Sequence, residues 1–238
     1  MKDIVLSKRM QAVVSLVPPN SSTIADVGCD HAYVSIKLKK DKLADKVIAM
    51  DLRSGPLSIA DNNIRAYGLE NDIETRLSDG LEKLSSMEAD VIVIAGMGGL
   101  LMRDILVRGK DILSVPVPPT LVLQPQSDID VVRHFLYDNL YNIAKEIMVY
   151  DNDKFYTAIL AVPGSMPPYD RDEDWIYGKY NIDNKSEVLI EQLIEEEKVL
   201  NSILTSLEKN GGGSSKQRKM EITKRLNINK TARERCLL

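Results

Sequence analysis

Three carboxylates stand at the ends of short apolar runs early in the chain: Asp26 in TIADVG, Asp51 in KVIAMD, and Asp79 in the Ser78-Asp79-Gly80 turn. Asp51 follows Asp26 by 25 residues, about one strand–helix–strand step. A carboxylate ending a second strand can accept both ribose hydroxyls of an adenosine, and Asp79 beside Gly80 is placed to take an adenine amino group. Each alone reads equally well as a turn or capping residue. Three on one sheet edge point to a nucleoside.

The stretch Thr23–Leu38, TIADVGCDHAYVSIKL, adds a strand that ends in Asp-x-Gly and feeds straight into a helix. Such a junction forms the crevice of an open α/β sheet, with Gly28 admitting a ligand close to the backbone. A dinucleotide fingerprint would read G-x-G-x-x-G. Here Gly28-Cys29-Asp30-His31-Ala32-Tyr33 puts a carboxylate where the second glycine belongs. A pyrophosphate would meet Asp30 as a like charge, a contact costing several kcal/mol when desolvated. A nucleoside with a cationic end, such as S-adenosylmethionine, would not.

Other residues bear on the chemistry. Gly96-Met97-Gly98-Gly99 after a fourth strand lets a bulky substrate approach the backbone, or is a plain loop before a helix. His31 is a candidate acid–base group or a helix cap, and His134 reads as structural. Cys29 has no base placed beside it by any motif, so it is not read as a nucleophile. Lys8 and Arg9 form either a solvated edge or a basic pair near the crevice. The Asn/Asp-Pro-Pro-aromatic signature of exocyclic adenine methylation is missing, which disfavours a primary amine as nucleophile.

These residues need a sheet to hold them. The pattern predicts a helix over Leu6–Val17, strands at Thr23–Gly28, Lys46–Asp51, Ile73–Leu77, Asp90–Ala95 and Thr120–Gln124, and helices from Ala32, Pro56, Leu100 and Ile129. Ile143–Asp151 and Phe155–Val162 read as a closing antiparallel pair. Alternating strands and helices with a terminal hairpin describe a doubly wound α/β sheet. The break PGSMPPY over Pro163–Tyr169 divides a domain 1–163 from a helical extension 164–238. In the extension, apolar spacing from Val188 to Leu207 marks one amphipathic helix. A flexible turn over Asn210–Ser215 follows, then a basic helix with Met220, Ile222 and Leu226 as seam candidates: a helical hairpin or short coiled coil.

Net charge is −4, unevenly spread. From Lys216 onward eight basic residues oppose Glu221 and Glu234, a surplus of six that leaves −10 for the rest. That asymmetry points weakly to a polyanionic partner. Two cysteines make neither a disulfide framework nor a metal cluster. No apolar run is long enough to span a membrane, and MKDIVLSKRMQ has no signal-peptide core, so a cytoplasmic, metal-free protein is expected.

Together LSKRM, ADVGCDHAY, IAMDLRSGP, LSDGL, IAGMGG and LVLQPQSD resemble the bacterial TrmK family of tRNA (adenine-22-N1)-methyltransferases, from Leu6 to about Val162. The resemblance implies a class I, Rossmann-like methyltransferase fold with S-adenosylmethionine as cofactor, tRNA as partner and a C-terminal extension that binds it. It maps Asp26, Gly28, Asp51, Asp79 and Gly80 to cofactor contacts, grouped with Arg9, Ser78, Ala95, Gly96 and Met97. Asp30, His31 and the 96–99 loop map to the catalytic mouth. Tyr33, Phe155 and Tyr156 are candidates to stack on an exposed base. The basic end of the tail matches no family pattern. A small-molecule methyltransferase, a nicotinamide dehydrogenase and a non-enzymatic RNA-binding scaffold stay open beside this reading.

Overall fold

The structure is a computed structural model that describes residues 4–210 and 215–238; most of the expected Gly-Ser turn, residues 211–214, lies outside the described residues. Contacts divide the chain into two compact units, Met1–Met166 and Pro167–Leu238.

The first unit runs α1 (Lys8–Leu16), β1 (Ser21–Val27), α2 (Tyr33–Lys40), β2 (Ala44–Asp51), α3 (Ser54–Ala66), β3 (Ile73–Leu77), β4 (Val91–Met97), α4 (Gly99–Arg108), α5 (Lys110–Leu113), β5 (Thr120–Pro125), α6 (Ile129–Asp138), β6 (Tyr141–Asp151) and β7 (Lys154–Pro163). The strands form one sheet in the order β3-β2-β1-β4-β5-β7-β6. β1 to β5 are parallel, and β7 runs antiparallel to both β5 and β6. This is the doubly wound α/β sheet that the alternation of strands and helices implies. The near-continuous apolar run of β4 is explained by its central place, since a strand covered on both faces has no polar side to show.

β1 has β2 on one side and β4 on the other, so the chain reverses its winding direction there. At such a switch point the loops leaving the strand ends diverge and open a crevice. Two local features shape its walls. The β4–β5 register shifts between Ala95 and Met97, leaving Gly96 as a bulge at φ +81°. Gly99 packs so tightly that a Cβ would overlap the carbonyl oxygens of Ser127 and Asp128.

In the second unit a π-helical turn (Asp174–Gly178) and α7 (Lys179–Asp183), neither foreseen from sequence, precede α8 (Glu187–Asn210) and α9 (Ser215–Leu237). α8 and α9 pair antiparallel: Asn229 Nδ2 donates to Leu193 O, and Arg225 Nε to Glu196 Oε1. Leu200, Ile222 and Leu226 are buried between them, flanked by Ile203, Leu204 and Leu207. Met220 is 67% exposed and outside this seam, a correction to its expected place. The basic surplus of α9 is also compensated locally, because residues 167–238 carry thirteen basic and thirteen acidic residues.

Two glycine substitutions test the packing. Gly99→Ala should cost about 1–3 kcal/mol by overpacking against backbone and lower the thermal midpoint by several degrees. Gly55→Ala, in α3 with nothing near its Cβ position, should raise it by up to about 1 kcal/mol worth. Calorimetric scans of the two variants should move in opposite directions.

Candidate functional site

The turn after β1 is built from alternate left-handed residues: Gly28 at φ +75°, Asp30 at +51° and Ala32 at +59°. The N–H groups of Gly28 and Cys29 donate to Met50 O at 2.8 and 2.9 Å, and the Asp30 N–H donates to Asp51 Oδ2 at 3.2 Å. The turn is thus pinned to the end of β2. A Cβ on Gly28 would overlap Met97 Cε, so glycine serves both the backbone angle and the approach of β4. The turn leaves the Asp30 side chain 62% exposed at the cleft mouth, with His31 Nε2 at 3.6 Å from its Oδ2. His31 caps no helix. Its carbonyl accepts from Asn63 Nδ2, and its Nδ1 is buried without a hydrogen-bond partner among the described residues.

Asp26 is buried beneath this turn, accepting from Ser35 Oγ. Loss of water pushes its carboxyl up to about 6, against the pull of Ser35, with nearby Asp51 adding to the rise. Burial, then Asp26, Asp51 and Asp30, push the Cys29 thiol far up, so no thiolate nucleophile exists at neutral pH.

Asp51 is buried but not idle. Its Oδ1 accepts the Arg53 N–H at 2.9 Å while Oδ2 holds Asp30, so two backbone donors fix the carboxylate and leave lone pairs facing the cleft it lines. Ser78 is buried, donating from Oγ to Gly80 O, which shapes the 78–80 turn. Gly80 sits at φ +58°, where a Cβ would press on Ile105. Asp79 has a partner that sequence did not suggest. Arg108 of α4 grips both its oxygens, at 2.7 and 3.0 Å, and that pairing lowers its carboxyl below the usual range.

Across the cleft, Arg9 of α1 donates from Nη1 to Gln124 Oε1 at 3.1 Å, and its guanidinium lies over the Tyr156 ring at 5.3 Å. Gly96 N–H reaches the same Gln124 oxygen at 3.2 Å. Gln124 and Asp151 were not singled out from sequence, and Tyr156 was singled out for stacking on a base, not as a partner of Arg9. The one available signal was a polar residue closing the otherwise apolar strand TLVLQ.

Arg9, Asp26, Gly28, Asp30, His31, Asp51, Ser78, Asp79, Gly80, Ala95, Gly96 and Met97 all line one cleft of about 670 Å³. That volume suits a nucleoside-sized ligand. Of the stacking candidates only Tyr33 lines it, 45% exposed. Tyr156 has Arg9 on its face, and Phe155 packs on Tyr150.

Comparison with known proteins agrees with this geometry. A family model described as a methyltransferase domain matches residues 6–159. A Bacillus subtilis protein named tRNA (adenine(22)-N(1))-methyltransferase is 37% identical over 164 residues, 69% of this chain and 68% of that one. The crystal structure of the B. subtilis m1A22 tRNA methyltransferase TrmK superposes with a TM-score of 0.86 at 29% identity, covering 97% of this chain and 100% of that one. The chain belongs to the TrmK methyltransferase family. A Streptococcus pneumoniae relative in complex with S-adenosyl-L-methionine gives a TM-score of 0.85 at 28% identity, covering 96% of this chain and 100% of that one. The cleft fits the cofactor of TrmK proteins. Asp51 offers an ordered acceptor for a ribose diol, and Gly28 and Gly96 line the same cleft without side chains.

Asp26 gives a pH test. Its folded value is raised above the unfolded one, so the stability it contributes is complete below about pH 4 and lost as pH rises through about 6. Asp26→Asn removes that loss. Its advantage in thermal midpoint over wild type should grow between pH 4.5 and 7.5, on the order of 3 kcal/mol at the plateau. An advantage independent of pH would mean that Asp26 is not desolvated.

Proposed function

We propose that this chain methylates N1 of adenine 22 in tRNA with S-adenosylmethionine, acting in the cytoplasm. The observation that carries the reading is the cleft mouth: a buried, ordered carboxylate, Asp51, lies directly behind an exposed one, Asp30, in a member of a family whose B. subtilis relative bears that name.

The cofactor supplies an activated methyl group at that mouth. The residues of this chain do the rest. Asp51 accepts the ribose hydroxyls, while Gly28, Gly80 and Gly96 let the ligand close on the backbone. Ser78 shapes the adenine end. Asp79, kept ionised by Arg108, has lone pairs left for an amino group. Ala95 and Met97 complete the floor under Gly28.

Adenine N1 carries an in-plane lone pair and needs no base to attack, so the site's main task is alignment, which can supply roughly 7–11 kcal/mol. Methylation leaves the adenine cationic. The Asp30 carboxylate, with His31 beside it, stabilises that charge and takes the proton leaving N6. Tyr33 offers a face for the base once it leaves its stack.

The helical unit, 164–238 by the sequence boundary, is assigned to tRNA. Arg225, Arg233 and Arg235 are committed to Glu196, Glu197 and the Glu173–Asp174–Asp183 group. Lys216, Lys219 and Lys230 have no ion-pair partner among the described residues and are left to phosphates.

Methyl transfer from labelled cofactor to tRNA lacking the modification, followed by nucleoside analysis, should give 1-methyladenosine at position 22. Label in another nucleoside, or only in a small molecule, would overturn the target. Asp30→Ala should lower kcat about 100-fold while cofactor Kd stays within threefold. Equal losses in both would make Asp30 a cofactor ligand alone. A chain ending at Met166 should keep cofactor affinity and lose tRNA methylation; full activity would remove tRNA from the helical unit.

A further inference from the structure

Two arginines line the cleft: Arg53 lies 3.9 Å from the Asp51 carboxylate, whereas Arg9 is restrained by three contacts from different elements. Its own N–H donates to Asp151 Oδ2 at 3.2 Å, which ties the first turn of α1 to the end of β6. Tyr156 of β7 lies against the guanidinium face, and Gln124 of β5 holds Nη1. None of these neutralises the guanidinium, which has no carboxylate within ion-pair distance among the described residues. A half-buried, oriented and uncompensated guanidinium is a receptor for an anion.

Gln124 fixes where that receptor stands. It is fully buried. Its Oε1 accepts from Arg9 Nη1 and from the N–H of Gly96, and its Nε2 donates to Pro125 O at 3.0 Å. Two donors converging on one atom determine which end of the amide is oxygen. The same oxygen therefore couples Arg9 to the β4 bulge. Gly96 leaves the room: a Cβ there would stand 3.3 Å from Arg9 Nη1 and 3.8 Å from Met10 Cε.

We propose that Gln124 is a positioning residue, holding the Arg9 guanidinium beside the Gly96 bulge to receive the α-carboxylate of the cofactor. This rests on the cofactor reading above. The amino-acid part of the ligand is zwitterionic, and the cleft supplies both complements: Asp26, Asp30 and Asp51 on the β1–β2 side, and Arg9 on the β4–β5 side. A neutral amide holds a guanidinium in place without cancelling its charge. A carboxylate at 124 would cancel it.

Calorimetric titration of the full-length protein tests this with two ligands, S-adenosylhomocysteine and its analogue carrying a 3-aminopropyl chain and no carboxylate. Gln124→Met and Arg9→Met should each weaken S-adenosylhomocysteine about tenfold and change the analogue less than twofold. The double variant should be no weaker than Arg9→Met alone. Gln124→Glu, which keeps the acceptor and the Gly96 bond but adds a competing charge, should show the same selectivity. It also serves where Gln124→Met fails to fold. Equal loss for both ligands would reduce Gln124 to a packing residue, and additive loss in the double variant would sever it from Arg9. Unchanged S-adenosylhomocysteine affinity with a raised KM for tRNA would assign Arg9 to an RNA phosphate. Each of those outcomes overturns the proposal. Absence of S-adenosylhomocysteine binding to the wild-type protein would instead overturn the cofactor reading itself.

Discussion

At the carboxyl end of β1 the chain leaves the sheet through three left-handed residues, and the N–H groups freed there are caught by Met50 O and the Asp51 carboxylate at the end of β2. Left-handed backbone at a non-glycine residue costs roughly 1–2 kcal/mol, and less for aspartate. The turn persists because β2 over-determines it. Everything at the cleft mouth depends on this pinning. It orients Asp51 from behind, presents Asp30 to solvent, and brings Gly28 against Met97. Asp51 is both a bracket for the turn and part of the cleft wall, so cleft and loop geometry share one carboxylate.

The charges around that bracket are arranged asymmetrically. Asp26, Asp30, Asp51 and the Cys29 thiol crowd the β1–β2 side, where burial and mutual repulsion hold Asp26 and Cys29 toward their protonated forms. Such crowding disfavours a phosphate and favours a cation. Arg9 stands apart on the β4–β5 side, while Arg108 balances Asp79 at the far end.

Charged and polar contacts run alongside the apolar packing of the helical unit, where Leu189, Leu193 and Ala232 are buried besides the Leu200, Ile222 and Leu226 seam. Glu196 accepts from Tyr177, Arg225 and Asn229, linking the π-helical turn to both long helices. Asn229, fully buried, is the kind of polar seam residue that fixes register. Arg235 gathers Glu173, Asp174 and Asp183 at the other end. An acidic α8 facing a basic α9 explains why the surplus visible in the last residues is mostly internal.

The sequence by itself determined the sheet and the ligand class. Every strand was marked in the sequence, the central β4 and β5 most clearly because parallel strands covered on both faces must be apolar, and short-range motifs marked Gly28, Asp30, Asp51 and the 78–80 turn. Its errors lie where contacts are non-local. Met220 has helical spacing suited to a seam, yet the pairing of α8 with α9 leaves it outside. The short helical pieces at 174–183 carry no long apolar period to read. Only the tertiary structure brought Gln124 to Arg9, 115 residues apart, and Arg108 to Asp79, 29 apart. Local sequence sets backbone angles and burial, but the partner of a side chain is chosen by which strands become neighbours, and no local pattern encodes that.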